Sequence, residues 1–184
     1  EKAISQGVDD IIAVSAGAGG HAGTTSPFAL VKEIRRIFDG TLIVAGAMSR
    51  GCDLAAARAL GADLAYFGTR FIASTEANAP QTYKEMIVHS RAADIVYTPV
   101  FTGVHGSYLR GSIENAGLDP DKLAELDVKS MNFGSGGNAR AKAWRDIWGA
   151  GQGVGTIDGI ASVHDLVMQL EREYRETLQR LVVA

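Results

Sequence analysis

Apolar residues in the first seventy positions alternate between two rhythms. Three short, apolar-dense runs, Val8–Val14 (VDDIIAV), Thr41–Ala45 (TLIVA) and Asp63–Phe67 (DLAYF), predict strands. Between them Leu30, Val31, Ile34 and Ile37 recur at helical spacing and predict a helix over Phe28–Phe38. An Ala-rich helix is expected over Cys52–Leu60. Ser26 is suited to cap the first helix, with Pro27 at the first helical position, where its missing N–H costs nothing. Asp39-Gly40 and Gly61 end the two helices. Continuous apolar strands alternating with helices imply a parallel sheet covered on both faces. Such units build either a Rossmann-type sheet or a barrel.

The pattern changes after residue 90. Residues 91–143 hold clusters of Gly, Asn, Asp and Pro (TGVHGSYLRGS, GLDPD, NFGSGGN) with short helical patches, and read as a small second domain or cap. Trp144–Trp148 leads into a Gly-rich loop, Gly149–Gly155. The chain closes on an amphipathic helix over Val163–Leu181, with Leu166, Val167, Leu170, Tyr174 and Leu178 expected on the face that packs on the wall of the main unit.

In either parallel architecture the functional loops follow the strand C-termini. Here those loops carry His21, Gly46-Ala47-Met48 and Gly68-Thr69. Short, Gly-bearing loops side by side suit a phosphate held by backbone N–H groups. His21 follows the pair Gly19-Gly20, whose small size lets backbone approach a ligand. An isolated histidine more often satisfies its own loop; two phosphate-type loops on the next strands favour a ligand-facing role. His89 and His164 read as solvated helix residues, Arg70 as a salt-bridged structural residue, and His105 stays undecided.

Composition narrows the classes. The 184 residues carry 18 Lys and Arg against 21 Asp and Glu, a net charge of −3, so no basic stripe for nucleic acid is expected. A hydrophobic content of 46% with 21% charged residues excludes a disordered chain. The single cysteine, Cys52, excludes an internal disulfide framework and fits a reducing compartment. No apolar run approaches the length of a membrane span. Together these predict a cytoplasmic protein without nucleic-acid or membrane partners. The 22 glycines, about 12% where roughly 7% is usual, point to many tight turns. Because the chain opens within a helical pattern, Glu1-Lys2-Ala3-Ile4, it is expected to be the interior of a longer protein.

The combination Ile11-Ile12-Ala13, Ala18-Gly19-Gly20-His21-Ala22-Gly23, Ile43-Val44-Ala45-Gly46-Ala47-Met48 with Gly51, and Gly68-Thr69-Arg70-Phe71 resembles the nitronate monooxygenases, formerly called 2-nitropropane dioxygenases. The resemblance continues through Ser112-Ile113, Gly117-Leu118-Asp119-Pro120 and Trp148 to Gly151-Gln152-Gly153. It implies an α/β fold, the C-terminal part of an FMN-dependent TIM (β/α)8 barrel with a small cap domain, the first five strands lying outside the chain. The implied division is barrel units over 1–90, cap over 91–150, and a Gly-rich loop and terminal helix over 151–184. Three parallel strands cannot close a barrel by themselves.

By the same resemblance His21 is the active-site histidine beside the flavin. Ala18, Gly19, Gly20, Gly46, Ala47, Met48, Gly68, Thr69 and, near the ring, Gln152 are the implied FMN-binding positions, and no metal is implied. The chain departs from the family pattern at Val14-Ser15, at Gly17 and at Ala47, where Gln-Gly, an acidic residue and a second glycine are usual. The implied reaction oxidises nitronates or nitroalkanes with O2 to carbonyl compounds and nitrite, in an enzyme that is a possible homo-oligomer. A histidine serves either as base on a neutral nitroalkane or as cationic partner of a nitronate, because imidazole changes charge near neutral pH. The alternative on the same scaffold is an FMN-dependent NAD(P)H reductase such as an enoyl-acyl-carrier-protein reductase; a third is a non-catalytic flavin-binding module.

Overall fold

The computed structural model describes residues 2–125 and 146–182. After a short helix α1 (Lys2–Ser5), strands β1 (Asp10–Val14), β3 (Thr41–Ala45) and β4 (Leu64–Tyr66) form one parallel sheet in the order β1-β3-β4. In register, Ala13 faces Val44 on the neighbouring strand, and Val44 faces Ala65. Helices α2 (Pro27–Arg35) and α3 (Gly51–Leu60) make the crossovers from β1 to β3 and from β3 to β4. Ser26 caps α2, its Oγ accepting from Phe28 N at 3.3 Å, with Pro27 in the first turn. Gly61 ends α3 in the left-handed region, φ 110°.

Alternation along the strands decides what faces the helices. Ala13, Leu42 and Val44 point to one side and form a core with Val31, Ala57 and Ala62. Arg35 laces that layer, donating from Nε to Gly61 O at 2.6 Å and pairing with Asp63. Asp63 in turn accepts from Leu42 N at 2.8 Å. The Leu42 N–H and then Arg35 hold the Asp63 carboxyl below its ordinary range. On the opposite side Ile12 (51% exposed), Val14, Leu64 (52%) and Tyr66 (57%) stand open.

A second sheet is antiparallel, in the order β2-β6-β5, from β2 (Gly20–His21), β5 (Ile95–Thr98) and β6 (Gly106–Leu109). This corrects the expectation of an irregular segment after residue 90. Its period-two signal is hidden because all four residues of β6 are buried. With strands buried on both faces, alternation disappears. Helix α6 (Arg110–Asn115) packs on β6, while α4 (Thr69–Ile72) and α5 (Gln81–His89) pack on the short turn of helix Gln152–Thr156. Val100, Phe101, Tyr108, Ile113, Leu123 and Ile147 make a core of its own. The cluster NFGSGGN, residues 132–138, and Trp144 lie outside the described residues.

The terminal helix α7 (Val163–Val182) packs on α3 with part of the stripe expected for it: Leu166, Leu170 and Tyr174 lose exposure, Val167 and Leu178 do not. Val167 and Leu178 are exposed. Leu166 is buried, and the half-buried positions are Gln169, Leu170, Glu173, Tyr174 and Thr177. Polar bonds override hydrophobicity here: Glu173 accepts from Gly51 N at 2.8 Å and from Arg50 Nη1 at 3.0 Å. The helices approach so closely that a Cβ on Gly51 would overlap the Leu170 carbonyl. No helix among the described residues is long and apolar enough to cross a membrane.

Candidate functional site

The C-terminal ends of β1, β3 and β4 and the edge of the second sheet enclose one cavity of about 600 Å³. That is within the usual range for a small-molecule or cofactor site. Ile12, Val14, Ala45 and Tyr66 reach it from the open face of the parallel sheet. Glycine and alanine make up much of its lining. The loop after β1 is tied to the end of β3 by the buried Ser15, whose N and Oγ both donate to Ala45 O, at 2.9 and 2.7 Å. A side chain at Gly46 would overlap Ser15 Oγ, and its φ of 141° suits only glycine.

One carbonyl joins three loops. Gly17 O accepts from Ala47 N at 3.1 Å and from Gln152 N at 2.9 Å. The Gly-rich segment 149–153 thereby packs backbone to backbone against the loops after β1 and β3. A Cβ on Gly151 would come 2.6 Å from Gly17 O, and one on Gly19 would come 2.8 Å from Gly151 N. Thr69 adds the fourth loop, its Oγ1 accepting from Gly151 N at 3.0 Å. Tyr83 seals the segment from behind, donating its hydroxyl to Gly149 O and stacking on Trp148 at 4.8 Å. Burial pushes the Tyr83 phenol up to about 12, so it stays a donor.

His21 is held from the other sheet. It pairs with Gly106 across β2 and β6, and its Nε2 lies 3.0 Å from Thr102 Oγ1. The neighbouring Ala22 is clasped on both sides: its N–H donates to His105 O at 3.3 Å, and its carbonyl accepts from Tyr97 Oη at 2.6 Å. Tyr97 and His105 stack with ring centroids 5.1 Å apart.

The structure brings Ala18, Gly19, Gly20, His21, Gly46, Ala47, Met48, Gly68 and Thr69 to the cavity lining. Gln152 does not line it; its side chain lies against Gly17 instead. Ala47 adopts φ 53°, and its N–H is already given to Gly17 O. Arg70 is buried but outside the lining, donating to Gly159 O at 3.1 Å, with burial lowering its pKa. His89 bonds the Glu85 carbonyl within α5, and His105 is engaged by Tyr97 and Ala22. Tyr83, Tyr66 and Thr102 went unmarked in the sequence. The aromatic pair Tyr83 and Trp148 flanking a Gly-rich run was the available signal for the first; nothing local marks Thr102.

The cavity fits a flat, mostly apolar group carrying a phosphate. Nothing lies within 4 Å of where a Cβ would stand on Gly68 or Gly20, so both backbones face open space. Phe71 N and Ile72 N donate back to Gly68 O, at 3.0 and 3.3 Å, so the backbone N–H groups suited to a phosphate oxygen are those of the turn ahead of Phe71.

The family model for nitronate monooxygenase matches residues 1–173. The chain is 30% identical over 190 residues to the nitronate monooxygenase of Paraburkholderia phytofirmans, a match covering 95% of this chain and 51% of that protein. The structure of FabK from Thermotoga maritima superposes with a TM-score of 0.75 at 31% identity, over 98% of this chain and 59% of the other. The nitroalkane oxidase of Streptomyces ansochromogenes superposes with a TM-score of 0.74 at 26% identity, over 98% and 55%. The chain spans about half the length of the curated relatives it matches. With the GGH loop, the Gly46 and Gly68 loops and the match over residues 1–173 all in place, the chain belongs to the nitronate monooxygenase family of oxidoreductases.

Proposed function

We propose that the protein of which this chain is part binds FMN in the cavity and oxidises nitronates or nitroalkanes with O2 to carbonyl compounds and nitrite. The observation that carries the reading is the meeting of His21 with the Gly68-Thr69 backbone on one apolar-lined cavity. The parallel sheet is read as an arc of a (β/α)8 barrel over residues 1–90, with the cap over 91–150 and the returning loop and helix over 151–184. The open row Ile12, Val14, Leu64 and Tyr66 supports this, since it suits the inner face of a curved sheet.

Bound flavin would supply the electron acceptor. Gly68 and Thr69 would hold the phosphate through backbone N–H groups, and Met48 and Ile72 would exclude water beside it. His21 would take the α-proton from a neutral nitroalkane. Gly20, with open space where a Cβ would stand, would leave room beside that imidazole for the substrate.

An anaerobic flavin spectrum of the purified full-length protein tests this. Bleaching by nitronate is expected. Bleaching by NADH instead would establish the reductase alternative, and bleaching by neither a non-catalytic flavin-binding module.

A further inference from the structure

Three successive N–H groups fasten the Gly-rich segment 149–153. Ala150 N donates to Ser107 O at 3.2 Å, and Gln152 N to Gly17 O at 2.9 Å. Between them Gly151 N donates to Thr69 Oγ1 at 3.0 Å. The first two acceptors are carbonyl oxygens, which can only accept. The third is a hydroxyl, which accepts and still has a hydrogen to give. Among the described residues no atom takes that hydrogen. Thr69 is 9% exposed and stands on the cavity lining beside Gly68. A donor so buried is costly to leave unused, which leaves its hydrogen for an acceptor inside the cavity.

The segment also bears on His21. Ser107 pairs with Gly20, the residue before His21, and the Ser107 carbonyl holds Ala150. A Cβ on Gly149 would lie 3.4 Å from Gly20 N. Whatever fastens Gly151 therefore steadies the strand that carries the imidazole. A hydroxyl that donates to an anion becomes a better acceptor, because hydrogen bonds in a chain polarise one another.

We propose that Thr69 is a positioning residue that couples the cavity to the Gly-rich segment. A phosphate oxygen of the bound ligand takes the hydrogen of the Thr69 hydroxyl, and the same Oγ1 then holds the Gly151 N–H more firmly. A phosphorylated ligand thus fastens residues 149–153, and its unphosphorylated counterpart does not. That the ligand is FMN rests on the function proposed above; the coupling itself asks only for a phosphate.

Amide hydrogen exchange of the full-length protein, freed of flavin and then saturated with one ligand at a time, tests this. In wild type FMN should slow exchange at 149–153 roughly three- to ten-fold beyond riboflavin, the weight of one hydrogen bond. Thr69→Val, nearly the same shape without the hydroxyl, should abolish that difference. Its residues 46–48, which line the cavity without touching Thr69, should still be protected by FMN. Thr69→Ser should restore the difference. Equal slowing at 149–153 by FMN and riboflavin in wild type overturns the proposal without any variant, as does an FMN advantage that survives in Thr69→Val. If wild type fails to bind FMN while inorganic phosphate slows exchange at 149–153, the flavin reading fails and the Thr69 coupling stands. Inorganic phosphate without effect in such a protein overturns both.

Discussion

In the parallel sheet, each strand is followed at once by its own loop and helix, so its contribution to the cavity is local. Loops at 46–51 and 68–70 arrive wherever β3 and β4 end. In the antiparallel sheet, His21 is set by strands more than seventy residues away, through Gly106, Thr102 and the clasp on Ala22. The first region offers mostly backbone, held by glycines that leave no room for side chains. The second offers an imidazole oriented by side chains. Binding thus rests on steric exclusion, which is short-ranged and unforgiving. Orientation of the histidine rests on hydrogen bonds, each worth about 0.5–1.5 kcal/mol.

The sharpest test of this division is His21→Asn. It keeps a polar side chain of similar reach and leaves the glycine framework untouched, so flavin content should stay normal. Flavin reduction by a neutral nitroalkane should fall about 10²–10⁴-fold, and far less with nitronate, where the proton is already gone. Loss of flavin instead would mean that the second sheet also holds the cofactor.

A pair of glycine variants separates framework from ligand contact. Gly151→Val drives a side chain into Gly17 O and the Gly19 backbone, and should lower stability by about 1–3 kcal/mol, read as a drop in Tm without flavin. Gly68→Val adds a side chain where no protein atom lies within 4 Å, at an ordinary backbone angle. Its flavin-free Tm should match wild type while the protein purifies colourless. Full flavin occupancy in Gly68→Val would move the phosphate elsewhere.

Glu173 tests whether the loop after β3 is steadied from outside the sheet. Burial acts to raise its pKa, but the Gln169, Gly51 N–H and Arg50 contacts prevail and hold it below the ordinary glutamate value. A depressed folded-state pKa gives stability that is present above the unfolded pKa and lost as pH falls through the folded one. Glu173→Gln should therefore cost about 1–2 kcal/mol near neutral pH, with the gap closing below about pH 4.5. A gap independent of pH, in urea melts across that range, would show that packing rather than charge holds the helix.

The smallest effect is expected at Ala47. A non-glycine residue at φ 53° is strained by about 1 kcal/mol, so Ala47→Gly should raise stability by up to that amount. An unchanged or lower Tm would show that the loop's own bonds to Gly17 already absorb the strain.

The parallel β-α units were legible in the sequence because their signals are local. Thr41–Ala45 has the bounds expected of it, and Ser26-Pro27 opens α2 as its residue types require. The strand β6 was hidden, since burial on both faces removes alternation, and β5 is a four-residue edge strand whose graded burial shows no period of two. The face that α7 uses was misjudged at Val167 and Leu178 because Glu173, steadied by Gln169 on the same helix, accepts from Gly51 N of α3, a polar bond that hydrophobic periodicity does not register.

At the cavity, the sequence by itself determined which residue types stand at the strand ends: the glycines, and a histidine behind two of them. Local spacing sets these, because a loop cannot stray far from the strand it follows. Only the tertiary structure decided that Gly17 O would gather the loops, that Gln152 would turn against Gly17 instead of lining the cavity, and that Thr102 would meet His21. Those contacts join positions 30 to 135 residues apart, and tertiary packing, which no local pattern encodes, chooses among the many partners such a separation allows.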